Sequence, residues 1–283
     1  MKKIVLLLIV VCFNLFSCEK KVHKQDTKQV LTEKSSIDDI IDSFNKWWVY
    51  HNENINFSKK FIPADKNLIG IDKKVFFQEL LTGKYICVLE IKDGYTFYKL
   101  HELKEPFNKT ISTTIQHIAK KELFYLEKTG RPFPNFNFND IEGNNFTNSK
   151  TKGKYLIIKC WFINCKTCIK EFDELNKFTM INPNVNFISL ALDKKNDLIK
   201  FLKNKPFDYK VIPNQEKFIN DELGIKEFPT HILVNKEGNV EKYFEKAVDL
   251  ISYFNELNKT DDTINENQFE PPSPHKTLNK NNN

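Results

Sequence analysis

The chain opens on a block with almost no polar positions. After Lys2-Lys3, residues 4–11 are continuously apolar, and the run carries on through Cys12 and Phe13 to Leu15-Phe16. A charged start followed by a short apolar stretch is the layout of an export signal, and the stretch is too short to span a bilayer. Residues 1–17 are therefore expected to be a signal peptide. The stretch of 18–36, polar and rich in Lys, Gln and Thr, has no apolar period and reads as a tether.

Helical periodicity follows. Ile37, Ile40, Ile41, Phe44, Trp47 and Trp48 recur behind Ser35-Ser36 as caps, which predicts an amphipathic helix to about Tyr50 with both tryptophans in the core. Val75, Phe76, Leu80 and Leu81 mark a helix over 74–81 that stops at Thr82-Gly83. Residues 85–91 and 95–100 are strand-like, and Asp93-Gly94 between them signals a hairpin. A further helix over 111–126 carries Ile115, Ile118, Leu123 and Leu126 on its apolar side. Residues 37–127 thus read as a small α+β domain. It contains no metal-ligand spacing, phosphate loop or Ser/His/Asp pattern, so its role is unassigned.

From residue 155 the rhythm changes. An apolar run over 155–161, a helix marked by Ile169, Phe172, Leu175 and Phe178, and a second run over 185–192 form a βαβ unit. A helix at 198–202, a strand at 209–212, a helix at 216–223, strands at 230–235 and 240–244 and a helix at 248–257 complete an α/β domain over 128–259. Residues 260–283, with Asp261-Asp262, Pro271-Pro272-Ser273-Pro274 and a terminal asparagine run, have no apolar period and are expected to be a disordered tail.

Composition narrows the function. The 283 residues, 40% hydrophobic, suffice for two modest cores. The formal charge of +6 falls to about +4 without Lys2 and Lys3. Of the 43 basic residues Arg131 alone is an arginine, so the planar fork that reads phosphates and guanine edges is nearly absent, and nucleic acid is not an expected partner. Six cysteines are present. Cys12 leaves with the signal, Cys87 and Cys160 fall in strands as buried thiols, and the four thiols Cys87, Cys160, Cys165 and Cys168 are too few for a disulfide framework.

The chemistry concentrates at Cys165-Lys166-Thr167-Cys168, on the junction of a strand with a helix. Two thiols three apart at a helix start can close a disulfide across one turn. The first sulfur faces unpaired N–H groups and the positive end of the helix dipole, and Lys166 adds charge nearby. Cys165 is therefore the expected nucleophile and Cys168 the resolving thiol. A zinc site would need a second ligand pair, which the scattered histidines do not supply, so no metal or other cofactor is expected.

Two resemblances extend this. Leu15-Phe16-Ser17-Cys18 resembles the lipobox of bacterial lipoproteins, which implies lipidation of Cys18 and a membrane anchor. The segments Gly130-Arg131-Pro132-Phe133-Pro134-Asn135-Phe136, Gly153-Lys154, Trp161-Phe162-Ile163-Asn164 with the cysteine motif, and Phe228-Pro229-Thr230 through Gly238 resemble the TlpA/ResA group of thioredoxin-like proteins. That likeness implies a thioredoxin-like fold, a central sheet flanked by helices, with Pro229 as a cis-proline and the backbone of Phe228 offered to an extended substrate. It also implies a thiol-disulfide oxidoreductase on the periplasmic side of a bacterial envelope, in the reducing direction. Its clients would be exported proteins with disulfides, apocytochrome c among them, and its electrons would come from a membrane thiol donor.

Three positions depart from the family. Lys159 stands where thioredoxins commonly bury an acid, Asn164 replaces the tryptophan beside the nucleophile, and Glu171 either substitutes for the missing acid or is a solvated helix residue. An alternative of a different class is a partner- or copper-binding protein on a thioredoxin-like scaffold, its copper held by Cys165, Cys168 and His231, although copper chaperones of this fold use a CxxxC spacing.

Overall fold

The computed structural model describes residues 37–266, so the expected signal peptide, Cys18, the tether and residues 267–283 lie outside the described residues. The apolar stripe beginning at Ile37 is carried by two helices where one was expected. α1 (Ile37–Ile41) ends before Ser43, whose hydroxyl accepts from the Lys46 N–H at 3.4 Å and caps α2 (Phe44–Asn54). A serine side chain gives the backbone a local acceptor that starts a new helix. Trp47 is fully buried, but Trp48 is 39% exposed and stacks on Phe44. Adjacent helical residues point about 100° apart, and α2 is turned so that Trp47 faces the core and Trp48 lies at its edge.

β1 (Ile62–Ala64), α3 (Lys73–Leu81), β2 (Tyr85–Lys92), β3 (Tyr95–Glu102) and α4 (Lys109–Lys128) complete the N-terminal part. β2 and β3 form the expected antiparallel hairpin, with positive φ at both Asp93 and Gly94, as a tight two-residue turn requires. The unforeseen β1 pairs parallel to β3, giving the order β1-β3-β2. Phe76, Phe77, Leu80, Ile86, Ile111 and Ile115 form the center of its core.

The remainder is β4 (Asn137–Asn139), β5 (Asn145–Thr147), α5 (Asn148–Thr151), β6 (Leu156–Trp161), α6 (Lys166–Lys170), α7 (Phe172–Ile181), β7 (Asn186–Ala191), α8 (Lys195–Leu202), β8 (Lys210–Ile212), a π-helical turn (Phe218–Glu222), β9 (Thr230–Val234), β10 (Val240–Phe244) and α9 (Ala247–Glu266). Five strands make one sheet in the order β10-β9-β6-β7-β8. β6, β7 and β8 are parallel, whereas β9 runs antiparallel to β6 and β10 to β9. Side chains of α7, α8 and α9 cover one face, and the β4 region with the π-helical turn covers the other. This is the thioredoxin-like arrangement expected from the sequence.

α9 runs on to Glu266, so residues 260–266, expected as tail, are helical. A helix already nucleated propagates with one new hydrogen bond per added residue. The two parts touch through α4, whose Tyr125 stacks on Tyr243 with centroids 4.5 Å apart and planes 3° from parallel. Asn56 Nδ2 also donates to Asp249 Oδ1 at 2.9 Å, and Lys242 Nζ to the Ser58 carbonyl at 2.8 Å.

Candidate redox site

β6 is buried at every position, and its central place in the sheet aims its C-terminal end at the cysteine motif. The loop that follows is held from the side, because the Ile163 N–H donates to Asp193 Oδ2 at 2.8 Å. Cys165 then caps α6. Its sulfur accepts from the Cys168 N–H at 3.2 Å and lies 3.4 Å from Thr167 Oγ1. Cys165 and Cys168 are joined in a disulfide with Cα atoms 5.3 Å apart. Cys165 is 6% exposed and Cys168 wholly buried, so the first sulfur is the one that an incoming group can reach. The N–H that serves it in the disulfide is placed to serve the thiolate after reduction.

The Phe228-Pro229 bond is cis, as the resemblance implied. The Phe228 ring meets Phe162 edge-on at 5.5 Å, and the Phe162 carbonyl accepts the Cys165 N–H at 3.0 Å. One aromatic contact thus joins the proline loop to the cysteine turn. Asn164 is exposed beside them.

Beneath the cysteines lies a feature that the sequence reading left open. Lys159 is fully buried on β6, and its Nζ lies 2.5 Å from Glu171 Oε2. The same oxygen is 3.1 Å from His231 Nε2, while Glu171 Oε1 accepts the Ala247 N–H at 2.9 Å. Glu171 is therefore not a solvated helix residue. Lys159 and His231 are register partners across β6 and β9, so the two groups are brought to the same carboxylate by sheet pairing. The available signal was Lys159 itself, since a charge in a wholly apolar central strand requires a countercharge nearby.

Burial opposes ionisation of all three groups, and their contacts decide the outcome. Glu171 is raised by burial but more strongly lowered by His231 and Lys159, and it is held at about 2. Lys159 is lowered by burial, against the pull of Glu171. His231 is lowered to about 4 by burial and by the Lys159 charge. At neutral pH the group is a Lys–Glu ion pair with a neutral imidazole that donates from Nε2, leaving the buried Nδ1 without a protein partner.

The imidazole makes a prediction about acid stability. An unfolded histidine takes up its proton near pH 6.5, whereas the folded one resists until about 4, so its contribution is complete above 6.5 and is lost as pH falls through that window. Wild type should lose about 3 kcal/mol from this source. Urea unfolding at pH 7, 5.5 and 4 should show a flatter profile for His231→Gln than for wild type, and parallel profiles would exclude the assignment.

The copper alternative finds no ligand set, because among the described residues no group of three His, Cys, Asp or Glu could hold a metal ion. Cys160 faces the opposite core, its thiol pushed up to about 12 by burial, and burial likewise raises Cys87. Both are inert structural thiols.

Residues 129–243 match the AhpC/TSA family. The chain is 25% identical over 126 residues to the thiol-disulfide oxidoreductase ResA of Geobacillus thermodenitrificans, covering 42% of this chain and 72% of that protein. To the Bacillus subtilis ResA it is 27% identical over 116 residues, 40% of this chain and 65% of that one. These matches support the likeness of the C-terminal part to the TlpA/ResA group of thioredoxin-like proteins. Among solved structures, the thioredoxin domain of a thiol-disulfide oxidoreductase from Bacteroides vulgatus is 24% identical, covers 46% of this chain and 96% of its own, and superposes with a TM-score of 0.42. The two curated relatives support a thiol-disulfide oxidoreductase of the ResA type. The family match begins at residue 129, past the N-terminal part.

Proposed function

We propose that this protein reduces disulfides of exported proteins on the periplasmic side of a bacterial envelope, held to the membrane by lipid on Cys18. The observation that carries the reading is the Cys165-Cys168 disulfide, capped at the start of α6 and tied through Phe162 to the cis Phe228-Pro229 loop. In the reduced enzyme the Cys165 thiolate attacks one sulfur of a client disulfide, forming a mixed disulfide and releasing the other client sulfur as a thiolate. Cys168, deprotonated as it attacks, displaces the second client sulfur. Two electrons pass to the client and the Cys165-Cys168 bond closes. A membrane dithiol donor returns the electrons by the same exchange in reverse. Phe228 and Pro229 hold the client as an extended segment through main-chain contacts.

Apocytochrome c, with its paired cysteines, is a client class compatible with this chemistry. The oxidoreductase relatives and the export signal at the N-terminus support the reading. The equilibrium potential of the Cys165/Cys168 pair, measured by alkylation across a thiol redox-buffer series, tests the direction. A value of about −250 mV or lower is expected for a reductant, and one near about −120 mV would make the protein an oxidant.

A further inference from the structure

One face of α4 is turned away from its own core and toward the loop that carries the cis-proline. His117, Lys121, Phe124 and Tyr125 stand at i, i+4, i+7 and i+8, the spacing of a single helical face, whereas Ile111, Ile115 and Ala119 fill the N-terminal core. Each residue of that face meets residues 224–230 or the strand beside them. His117 Nε2 is 2.5 Å and Lys121 Nζ 3.1 Å from the two oxygens of Glu227, the residue immediately before Phe228. Lys121 also pairs with Glu245, just past β10.

The Phe124 ring closes on Gly224, which has φ of 65°. A Cβ there would sit 2.9 Å from the ring, so both the backbone conformation and the close approach call for glycine. Tyr125 hydrogen-bonds with the Thr230 side chain, whose hydroxyl in turn donates to the Glu227 carbonyl at 2.7 Å. The Lys121 side chain is only 15% exposed. Burial alone would discourage its charge, but Glu245 and Glu227 outweigh that and raise its pKa.

We propose that α4 is the backing of the client-binding loop and that Lys121, through Glu227, is a positioning residue that presents the Phe228 main chain to an extended disulfide-bearing polypeptide. The inference rests on the oxidoreductase reading above and deepens it by giving the N-terminal part a task. A polypeptide client gains affinity from main-chain hydrogen bonds to a strand-like edge, and those bonds are strongest when the edge is already ordered before binding. A small disulfide needs only access to the Cys165 sulfur. Loosening the loop therefore penalises the two kinds of substrate differently.

The test compares insulin with bis(2-hydroxyethyl) disulfide as substrates of the full chain. Lys121→Met and Glu227→Gln are each expected to raise KM for insulin by about five- to tenfold, with kcat changed less than about twofold. Turnover of the small disulfide and the Cys165/Cys168 potential should match wild type, and Lys121→Arg should restore the insulin KM. Glu245→Gln, which loosens an anchor outside the loop, should leave the insulin KM unchanged. If Lys121→Met fails to fold, Glu227→Gln carries the test, since it leaves the Lys121–Glu245 pair intact. Equal losses on both substrates, an unchanged insulin KM in Glu227→Gln, or a Glu245→Gln defect as large as that of Glu227→Gln would each overturn the proposal. A wild type that reduces neither substrate would instead sink the oxidoreductase reading, and the inference with it.

Discussion

Cys168→Ser should hold its clients covalently. The variant keeps the cap at the start of α6, in which the Cys165 sulfur accepts the N–H of residue 168, a main-chain donor that the substitution does not remove. It lacks the buried second sulfur that would displace the client. Attack by Cys165 therefore proceeds, and the mixed disulfide accumulates. Acid-quenched, alkylated envelope fractions should show adducts on a non-reducing gel that vanish with dithiothreitol. Cys165→Ser should form none and should lose turnover by a factor of about 10³ or more, because the accessible sulfur is gone and Cys168 is wholly buried. Substantial turnover in Cys165→Ser, or an absence of adducts in Cys168→Ser, would mean that the pair is a structural bridge.

What the sequence revealed and what it concealed follow from the range of the interactions involved. The hairpin at Asp93-Gly94 was legible because a two-residue turn with positive φ at both positions is written in two adjacent letters. The cysteine motif was legible for the same reason, its geometry being set within one helical turn. Three-residue β1 and the asparagine-bearing β4 and β5 carry too few positions to show a period of two. The split between α1 and α2 turned on one serine whose capping competes with a continuous apolar stripe. Glu171 and His231 stand 60 residues apart and meet only because β6 and β9 pair in the register that sets Lys159 opposite His231. The contact of α4 with the proline loop spans 106 residues and joins parts whose patterns are independent. Local chemistry was readable, whereas the carboxylate beneath the cysteines and the brace behind the loop required the fold.

That carboxylate carries the second large effect. Glu171→Gln leaves the Lys159 ammonium fully buried without its countercharge, and breaking a buried pair in this way costs about 3–5 kcal/mol. Lys159→Met should cost less. The remaining carboxylate keeps the Ala247 N–H and His231 as donors, its side chain is 16% exposed, and methionine fills much of the vacated space. The double variant should be more stable than the sum of the two losses implies, because neither charge is then left unpaired. The same pair acts on the redox site, since Glu171 is three residues past Cys168 and holds the main chain of Ala247, which packs in the same core as both cysteines. With both charges present their fields largely cancel. Glu171→Gln leaves a positive charge, which favors thiolate, stabilises the reduced form and raises the potential. Lys159→Met leaves a negative charge and lowers it. Shifts on the order of 30 mV in opposite directions are expected from redox-buffer titration, alongside urea midpoints for the stability ranking. Shifts of the same sign would show that the variants act by loosening the fold, and the cancelling-pair account would fail.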